Sequence, residues 1–306
     1  MPGVTFRPNR DVPNLAGKVI LITGGTAGVG SGTVIELARH NPAQLLFTGR
    51  NAETAQSVVS NVQAAAPGIR VSFVQCDLAS LTSVKAAAEK ILSDLSRLDV
   101  LVCNAGIMAK PASLSRDGYE IQFATNHLGH ALLTQKLLPL LERTAGDGSD
   151  VRIVMVTSTG WRGTPPGGIQ FSKLKTTQEM AVLGRWLRYG QSKLANMLYA
   201  RELAKRYPSI LSFSLTPGVV ATSLVTDLGP FDRALVYIPN IGKMKTPEEG
   251  THNLLWAIVV PGDGIKPGAF YEPVGYLSPM ETRASKDPEL GNKLWDWTET
   301  ELRKWM

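Results

Sequence analysis

The sequence of 306 residues predicts a doubly wound α/β domain built on a parallel sheet. Apolar runs rich in β-branched residues alternate with segments of helical periodicity, as expected for strands joined by crossover helices. The runs are apolar throughout, which is typical of strands buried on both faces of a sheet. A glycine-rich turn, TGGTAGVG at 23–30, follows the first run and opens the first helix. Together these observations indicate parallel strands with right-handed crossovers.

The predicted elements follow one another without a linker, a repeat or a low-complexity tract, so we expect one domain over residues 1–306. The predicted strands are KVILIT (18–23), QLLFTG (44–49), VSFVQC (71–76), DVLVCN (99–104), RIVMVTS (152–158) and ILSFSL (210–215). A helix is predicted after each of the first five, the fourth running through LTQKLLPLLERT and the fifth from about 187 to 206. The less regular segments 160–184 and 225–245 follow late strands. Ligands bind beyond the carboxyl ends of parallel strands, so we expect both segments to face a substrate.

Composition and charge argue against several other classes of protein. The formal charge of +6 comes from scattered Lys and Arg, with no basic run interleaved with aromatics, so no nucleic-acid partner is expected. The apolar runs are shorter than the roughly 20 residues that cross a bilayer, and the first residues lack the apolar core of a signal peptide. We therefore expect a soluble, cytoplasmic protein without stable membrane insertion. For the Trp-rich tail (293–305), packing on the domain, on a second subunit or on a membrane stays open.

The cysteines and histidines show no metal-ligand spacing, so no metal site is expected. Cys76 and Cys103 are the two cysteines of the chain. His127 and His130 lie three positions apart on a predicted helix. We interpret both histidines as structural residues whose hydrogen bonds are satisfied inside the fold.

The glycine-rich turn predicts a dinucleotide site. Gly24, Gly28 and Gly30 allow a tight turn, and Thr26 and Val29 lie between them. The helix that begins near Gly28 presents free N–H groups and the positive end of its dipole to a pyrophosphate.

The end of the second strand bears on which dinucleotide binds. It carries Arg50 and no carboxylate, which favours NADP(H), because a guanidinium suits a 2′-phosphate. If Arg50 is only a solvated loop residue, the preference stays undecided.

Polar residues at the ends of the third and fourth strands extend the predicted nucleotide site. Asp77 and Leu78 follow the third strand, and Asn104, Ala105 and Gly106 follow the fourth. Asp77 and Asn104 could instead serve as turn or helix-capping residues. Together they lie where an adenine and its ribose would rest.

A tyrosine and a lysine four positions apart, Tyr189 and Lys193 in YGQSKLAN, share one helix face. Alone, such a pair is more often a chance neighbour pair. The remaining motifs change that interpretation, because the sequence resembles the short-chain dehydrogenase/reductase family. The motifs appear in the family's order: TGGTAGVG (23–30), CDL (76–78), NAG (104–106), TNHLGH (125–130), VTS (156–158), YGQSK (189–193) and PGVVAT (217–222). NHLGH, YGQSKLAN and TPEEGT are most similar to the retinol dehydrogenase-like and related fungal or plant branches.

The resemblance implies roles for individual residues. Tyr189 would be the general acid/base, Lys193 its activator and a ligand of the nicotinamide ribose, Ser158 the group that holds the substrate oxygen, and Asn126 the anchor of a water relay. An ordinary helix residue that bonds its own backbone is the alternative for Asn126. Residues that would line the nicotinamide side are Pro217, Gly218, Val220 and Thr222.

The resemblance also implies the topology and bears on assembly. The family's Rossmann-type strand order, 3-2-1-4-5-6-7, would separate Cys76 and Cys103 by about 14 Å, too far for a disulfide, which needs Cα atoms within about 7 Å. Family members often form homo-oligomers through the helices beside the Ser/Tyr strand. Tyr189 follows Ser158 by 31 positions, and this long insertion could cover that surface.

The chemistry of the pair can be estimated from charge alone. A free tyrosine has a pKa of about 10, and lowering it by about three units takes on the order of 4 kcal/mol. One ammonium at about 4 Å supplies roughly that at an effective dielectric constant near 20. We therefore expect Lys193 to lower the pKa of Tyr189.

The sequence thus predicts an NADP(H)-dependent oxidoreductase that reduces a ketone or aldehyde, or oxidises the alcohol, of a moderately large apolar small molecule. Two alternatives stay open. The same site could reduce a C=C or C=N bond, or the fold could serve a non-enzymatic regulator that senses NADP.

Overall fold

The computed structural model describes residues 3–180 and 183–306, and an eight-stranded sheet forms its centre. The strands are β1 Val19–Thr23, β2 Gln44–Gly49, β3 Val71–Gln75, β4 Val100–Cys103, β5 Arg152–Val156, β6 Leu211–Leu215, β7 Phe270–Glu272 and β8 Tyr276–Leu277. They lie in the order β3-β2-β1-β4-β5-β6-β7-β8, and only the last pair is antiparallel. The predicted α/β class and strand order are therefore confirmed, and β8 is an addition that no sequence pattern predicted.

Helices connect the strands and cover both faces of the sheet. They are α1 Pro8–Asp11, α2 Gly28–Ala38, α3 Ala52–Ala65, α4 Leu81–Asp94, α5 Ile121–Phe123, α6 Gly129–Gly146, α7 Gly184–Arg206, α8 Ser223–Thr226, α9 Pro230–Tyr237, α10 Pro247–Val259, α11 Arg283–Lys286 and α12 Pro288–Leu302. One π-helical turn, Ala124–Leu128, separates α5 from α6. The helix predicted from about 187 begins three residues earlier, at the start of α7.

The alternation of side chains along β1 shows how one strand supplies two cores. Val19 and Leu21 belong to the apolar cluster on one face of the sheet, which includes side chains of α4, α6, α7 and α12. Ile20 and Ile22 belong to the cluster on the other face, with side chains of α2, α3 and α10. All four are buried, as expected for a central parallel strand. Because β1 to β7 are parallel, their carboxyl ends lie at one edge of the sheet, where the predicted site residues lie.

The Trp-rich tail packs on the domain itself. Trp295 of α12 stacks on Tyr199 of α7, with ring centroids 5.1 Å apart and planes 16° from parallel. The guanidinium of Arg206 lies 4.7 Å from the Trp295 ring. In the π-helical turn before α6, the Nε2 atom of His127 lies 3.1 Å from the hydroxyl of Thr298 on α12. The apolar face of the tail is thus buried between α6 and α7. Within residues 3–180 and 183–306, no helix has the length and apolar character to span a membrane.

The long insertion before Tyr189 is mostly a packed element. Trp161 and Leu174 are fully buried in the same core as α7. Phe171 contacts the ring of Trp297, with centroids 6.0 Å apart, which joins the insertion to α12. Residues 181 and 182, near the end of the insertion, lie outside the described residues. The middle of the insertion therefore packs against the tail helix α12. The two described ends of the insertion lie beside Tyr189.

The cysteines are free thiols. Cys76 and Cys103 are both buried, and neither forms a disulfide. Burial raises the pKa of each thiol to about 12, so both stay protonated at neutral pH.

The tail helix should be an integral part of the fold. Replacing Trp295 by Ala removes the stack on Tyr199 and leaves a cavity, so we expect Trp295→Ala to lower the free energy of unfolding by about 3 to 5 kcal/mol. Urea denaturation followed by circular dichroism measures the change. The matched control is Phe231→Ala, because Phe231 is 69% exposed; its effect should stay within about 0.5 kcal/mol. Equal effects of the two substitutions would contradict the packing described for α12.

Candidate active site

Ser158 and Tyr189 come together where β5 ends and α7 passes over it. Ser158 begins a 3₁₀ turn, Thr159–Arg162, and its hydroxyl accepts a hydrogen bond from the Gly160 N–H at 3.1 Å. A Cβ atom built on Gly160 would lie 3.0 Å from Cε1 of Tyr189 and 3.4 Å from Oγ of Ser158. The turn thus needs a glycine at position 160, because the absence of a side chain there lets Tyr189 lie close to Ser158.

Gly190 allows α7 to approach the same turn closely. A Cβ atom on Gly190 would clash with the carbonyl oxygen of Gly163 and lie 2.8 Å from that of Gly160. Backbone atoms of the turn cannot give way as the end of a flexible side chain can. The small residue that follows Tyr189 therefore fixes how near the phenol lies to β5.

Lys193 lies one helical turn beyond Tyr189 and is held at its charged end. Its Nζ atom donates a hydrogen bond to the carbonyl oxygen of Val156 at 3.1 Å. Its own carbonyl oxygen accepts a bond from the Thr157 hydroxyl at 2.7 Å. The Nζ atom is 5.9 Å from the centroid of the Tyr189 ring. The ammonium therefore lies between the end of β5 and the phenol.

Asn126 lies in the π-helical turn, which the sequence did not predict; such turns occur frequently at functional sites. Its side-chain oxygen accepts a hydrogen bond from Ile107 N at 2.8 Å, and its amide nitrogen donates to Ile107 O at 2.9 Å. The same nitrogen donates to the Ser192 hydroxyl on α7, also at 2.9 Å. A Cβ atom on Gly106 would lie 3.1 Å from the Asn126 oxygen and 3.3 Å from Nζ of Lys193. Asn126 thus bonds another segment rather than its own helix, and Gly106 lies against both groups.

Burial controls the proton affinities of the pair. Tyr189 is 5% exposed, and burial raises its pKa to about 12, with a partly opposing hydrogen bond from Ser158. Burial lowers the pKa of Lys193 to about 8. Both shifts favour the neutral form, because a low-dielectric surrounding disfavours charge. The net pKa of Tyr189 is therefore raised, not lowered as the charge argument predicted, because that argument left out the desolvation of the phenolate.

The glycine-rich turn forms a narrow cradle at the start of α2. Gly24 and Gly28 have φ angles of +67° and +57°, which favour glycine. A Cβ atom on Gly30 would clash with the Gly24 carbonyl oxygen and lie 2.6 Å from Nδ2 of Asn104. The helix begins after Ala27 without a side-chain cap, whereas Asn51 caps α3. The first N–H groups of α2 can therefore bind an anion.

The predicted adenosine residues lie along the ends of β2, β3 and β4. Thr26 packs against Gly49: a Cβ atom built on Gly49 would lie 2.5 Å from the methyl group of Thr26. Arg50 follows β2 with an exposed side chain. One carboxylate oxygen of Asp77 accepts a hydrogen bond from Ala79 N at 3.0 Å, so part of this side chain serves a turn. Leu78 is buried next to it.

The residues Asn104 and Ala105 follow β4 and are anchored to the end of β1. The Asn104 amide donates to Thr23 O at 2.8 Å. The Thr23 hydroxyl accepts from the backbone N–H groups of Asn104 and Ala105 at 2.9 and 3.0 Å. These bonds place the Asn-Ala-Gly loop, residues 104–107, directly beside the glycine cradle.

The segment after β6 closes the opposite side of the cleft. The methyl group of Thr222 would lie 3.4 Å from a Cβ atom on Gly28. Val220 and Val29 meet over Gly250, where a Cβ atom would lie 2.8 and 3.0 Å from their side chains. The backbone of this segment, which includes Pro217 and Gly218, is paired with Lys245 through an isolated parallel bridge at Val220. Lys245, which the sequence did not single out, thus holds the predicted nicotinamide wall.

An apolar cavity opens beside Tyr189. Its volume is about 500 Å³. Its lining residues are Thr159, Gly160, Arg162, Gly163, Leu183, Trp186, Leu187 and Tyr189. The ring of Trp186 meets that of Tyr189 edge to face, at 6.4 Å between centroids. The two ends of the insertion therefore contribute to the wall, together with the first turn of α7.

Helix α9 is fastened to the start of α7, whose first turn lines this cavity, by the buried carboxylate of Asp232. Asp232 accepts hydrogen bonds from Arg185 Nη1 at 2.5 Å and from Trp186 Nε1 at 2.7 Å. Val225 and Met108 pack with Tyr189 in a small separate cluster. Segment 225–245 is thus tied to the start of α7. No sequence signal distinguished Asp232, Trp186 or Met108, because each acts through residues distant in the chain.

Comparisons with known proteins agree with this architecture. The family model for short chain dehydrogenases matches residues 18–176. The short-chain dehydrogenase/reductase drtF of Aspergillus calidoustus is 38% identical over 96% of this chain and 96% of its own length. The polyprenol dehydrogenase of Mus musculus is 33% identical over 95% of this chain and 85% of its own length.

Solved structures share the fold. A structure of an uncharacterised protein from Mycobacterium paratuberculosis has a TM-score of 0.75 at 28% identity and covers 98% of both chains. The NADPH-bound carbonyl reductase from chicken fatty liver has a TM-score of 0.67 at 23% identity, over 90% of this chain and 98% of its own. The second likeness concerns the fold alone.

The close approach at Gly190 can be tested with one methyl group. Gly190→Ala forces a Cβ atom into the backbone of the 3₁₀ turn, and we expect it to destabilise the protein by about 1 to 3 kcal/mol. The matched control is Gly146→Ala in α6, where a Cβ atom meets nothing within 4 Å. That variant should be neutral or more stable by up to about 1 kcal/mol. Thermal and urea unfolding measure both; an unchanged stability of Gly190→Ala would refute the tight contact.

Proposed function

The chain belongs to the short-chain dehydrogenase/reductase family, and from that premise we propose that it is an NADP(H)-dependent oxidoreductase. It would reduce a ketone or aldehyde of a moderately large apolar small molecule, or oxidise the corresponding alcohol. One observation carries the proposal: Ser158, Tyr189 and Lys193 converge at the end of β5, beside an uncapped glycine cradle. We further propose that residues 1–306 act as one nucleotide-binding domain, with parts of 160–184 and 225–245 bounding the substrate.

The residues of the cleft fit a nicotinamide dinucleotide. Glycine at positions 24, 28 and 30 lets the turn fold tightly, and the uncapped N–H groups at the start of α2 can bind a pyrophosphate. When bound, the cofactor supplies or accepts the hydride. We assign its binding to the cradle residues Gly24, Thr26, Gly28, Val29 and Gly30, to Asp77, Leu78, Asn104, Ala105 and Gly106, and to Pro217, Gly218, Val220, Thr222, Tyr189 and Lys193. The preference for NADP(H) is assigned to Arg50, whose exposed guanidinium follows the end of β2.

The proton chemistry follows from the pKa values of the pair. With its pKa raised to about 12, Tyr189 is protonated at neutral pH and can donate a proton to a carbonyl oxygen that becomes negative. The Ser158 hydroxyl would hold that oxygen, and losing such a donor typically costs about 10² to 10³ in rate. Lys193, with a pKa of about 8, is mostly protonated at pH 7 and can stabilise the phenolate left behind. We assign to Asn126 the role of anchoring a water relay that returns the proton to Tyr189.

The cavity beside Tyr189 supports an apolar substrate. Leu183, Trp186 and Leu187 supply side chains to its wall, and Arg162 lies at its exposed side. A relative is named polyprenol dehydrogenase, and a polyprenol is a long apolar alcohol. We propose an alcohol or carbonyl compound with an apolar body that packs against Trp186. We also propose that α12, which lies on α6 and α7, closes that face to a second subunit.

Two other functions remain testable on the same site. Reduction of a C=C or C=N bond would use the same tyrosine as the proton donor. A regulator that only senses NADP would bind the nucleotide without turnover. Mass spectrometry of products from a panel of ketones, aldehydes, enones and imines with NADPH separates the three, because each predicts a different product or none.

The role of Tyr189 is tested by removing one oxygen atom. Tyr189→Phe removes the proton donor and keeps the ring, so kcat should fall by about 10² to 10⁴ while NADPH binding stays nearly unchanged. Steady-state kinetics and a fluorescence titration with NADPH give the two quantities. The control is Tyr207→Phe, since Tyr207 is the C-cap of the same helix and lies beside Trp295. Retained turnover of Tyr189→Phe would refute the assigned role.

The cofactor preference is tested by reversing one charge. Arg50→Asp replaces a guanidinium by a carboxylate that repels the 2′-phosphate. A hydrogen bond between charged groups is worth about 1.5 to 3 kcal/mol, so the KM for NADPH should rise by about 10- to 100-fold. The KM for NADH should change far less, and Arg303→Asp on the tail should alter neither. Equal increases for both cofactors would exclude Arg50 as the group that selects the phosphate.

A further inference from the structure

A buried histidine outside the proposed catalytic set bridges two parts of the site. His130, the second residue of α6, is 0% exposed. Its Nδ1 atom lies 2.9 Å from the backbone oxygen of Asn126. Its Nε2 atom lies 2.8 Å from the hydroxyl of Thr23 at the end of β1. The imidazole therefore connects the π-helical turn with the strand that precedes the glycine cradle.

The partners of the ring determine where its proton resides. A backbone oxygen only accepts, so Nδ1 carries the proton and Nε2 is left with a lone pair. The Thr23 hydroxyl can donate its single proton to Nε2, because both of its lone pairs accept, from Asn104 N and Ala105 N at 2.9 and 3.0 Å. The Val102 oxygen, at 3.4 Å, is the poorer acceptor for that proton. In this series of hydrogen bonds, each donor of His130 and Thr23 thus faces an acceptor, and each acceptor faces a donor.

The bonds of His130 complete a closed set around the Asn-Ala-Gly loop. Thr23 holds the first two residues of the loop through its hydroxyl. Asn126 holds the last residue, Ile107, through two side-chain hydrogen bonds of 2.8 and 2.9 Å. His130 joins these two anchors to each other. Gly106 lies inside the closed set, and a Cβ atom there would be 3.3 Å from Nζ of Lys193.

We propose that His130, as a neutral imidazole protonated at Nδ1, is a positioning residue that fixes loop 104–107 and the Asn126 turn relative to Lys193. The proposal rests on the function proposed above for the reaction, although the hydrogen-bond arrangement itself does not. A shift of the loop would change how the ammonium faces Tyr189. A misplacement of about 1 Å in such a site can cost 10²-fold in rate.

The neutral form suits this position for an electrostatic reason. Burial lowers the pKa of His130 to about 4, and the nearby charge of Lys193 adds to that direction. A charged imidazole would donate from both nitrogens and would have no lone pair for the Thr23 hydroxyl. The ring therefore keeps one donor and one acceptor at neutral pH.

His127 provides a matched control on the same turn. It is equally buried, and burial lowers its pKa to about 3. Its Nε2 atom bonds the hydroxyl of Thr298 on α12, at 3.1 Å, and so it serves the packing of the tail. A substitution of His127 thus removes a buried histidine whose Nε2 bond leads to the tail helix and not to loop 104–107 or to Lys193.

The first experiment reads the tautomer directly. The chain has four histidines, so selective ¹⁵N labelling and assignment with His130→Asn give a resolvable spectrum. We expect a protonated Nδ1 and an unprotonated Nε2 for His130 at pH 7, in the protein without substrate. A proton on Nε2, or on both nitrogens, would overturn the proposal. Because this readout needs no turnover, failure of the protein to act on any carbonyl would count against the proposed function and not against the arrangement.

The second experiment separates positioning from folding. His130→Leu should lower kcat by about 10- to 100-fold, with a much smaller change in the dissociation constant for NADPH. His127→Leu should lower the melting temperature and leave kcat unchanged. His130→Asn, which keeps a donor for the Asn126 oxygen and cannot reach Thr23, should lie between wild type and His130→Leu and covers the case in which the latter does not fold. If the His130 variants that fold lose only stability, as the His127 variant does, the proposal is refuted.

Discussion

The ammonium of Lys193 is buried inside the protein, and the geometry of the site depends on how that charge is held. The residue is 4% exposed, and its Nζ atom has a hydrogen bond of 3.1 Å to the Val156 carbonyl at the end of β5. Burial of a charge costs several kcal/mol unless oriented polar groups replace the lost water. The strand end, the glycine at position 106 and the loop around it supply that surrounding. The parallel sheet matters for function because it brings these groups to one edge.

The same burial raises the pKa of Tyr189, whereas it lowers that of Lys193. The phenol is held protonated and the lysine is brought closer to its neutral form, so the pair at rest is a proton donor with a neighbouring ammonium. The contact between α7 and the turn at 159–163 keeps the phenol beside Ser158. Added positive charge near the ring would favour the phenolate and so the reverse reaction.

Sequence patterns predicted the parallel sheet and placed the site residues at strand ends, because buried strands and strand-end motifs are local features, whereas the strand order was implied by the family resemblance. They failed where an interaction joins distant segments. Asp232 reads as an ordinary helix residue, yet it fastens α9 to Arg185 and Trp186. The π-helical turn at Asn126 is hidden within a continuous helical pattern. The pKa of Tyr189 was predicted in the wrong direction, because the Tyr/Lys spacing in the sequence indicates a nearby charge but not how far water is excluded from the phenol. His130 was interpreted as a structural residue, and only its two partners distinguish it from His127.

A spectrophotometric titration of Tyr189 tests the central claim, that burial governs this pair, most directly. The signal is the difference in tyrosinate absorbance between wild type and Tyr189→Phe, recorded with and without NADP⁺. The account predicts that Tyr189 in the protein alone stays protonated where an ordinary tyrosine, with a pKa of about 10, is half-ionised. It also predicts that NADP⁺ lowers the apparent pKa, because positive charge near the ring favours the phenolate. Ionisation of Tyr189 near neutral pH in the protein alone would contradict the account.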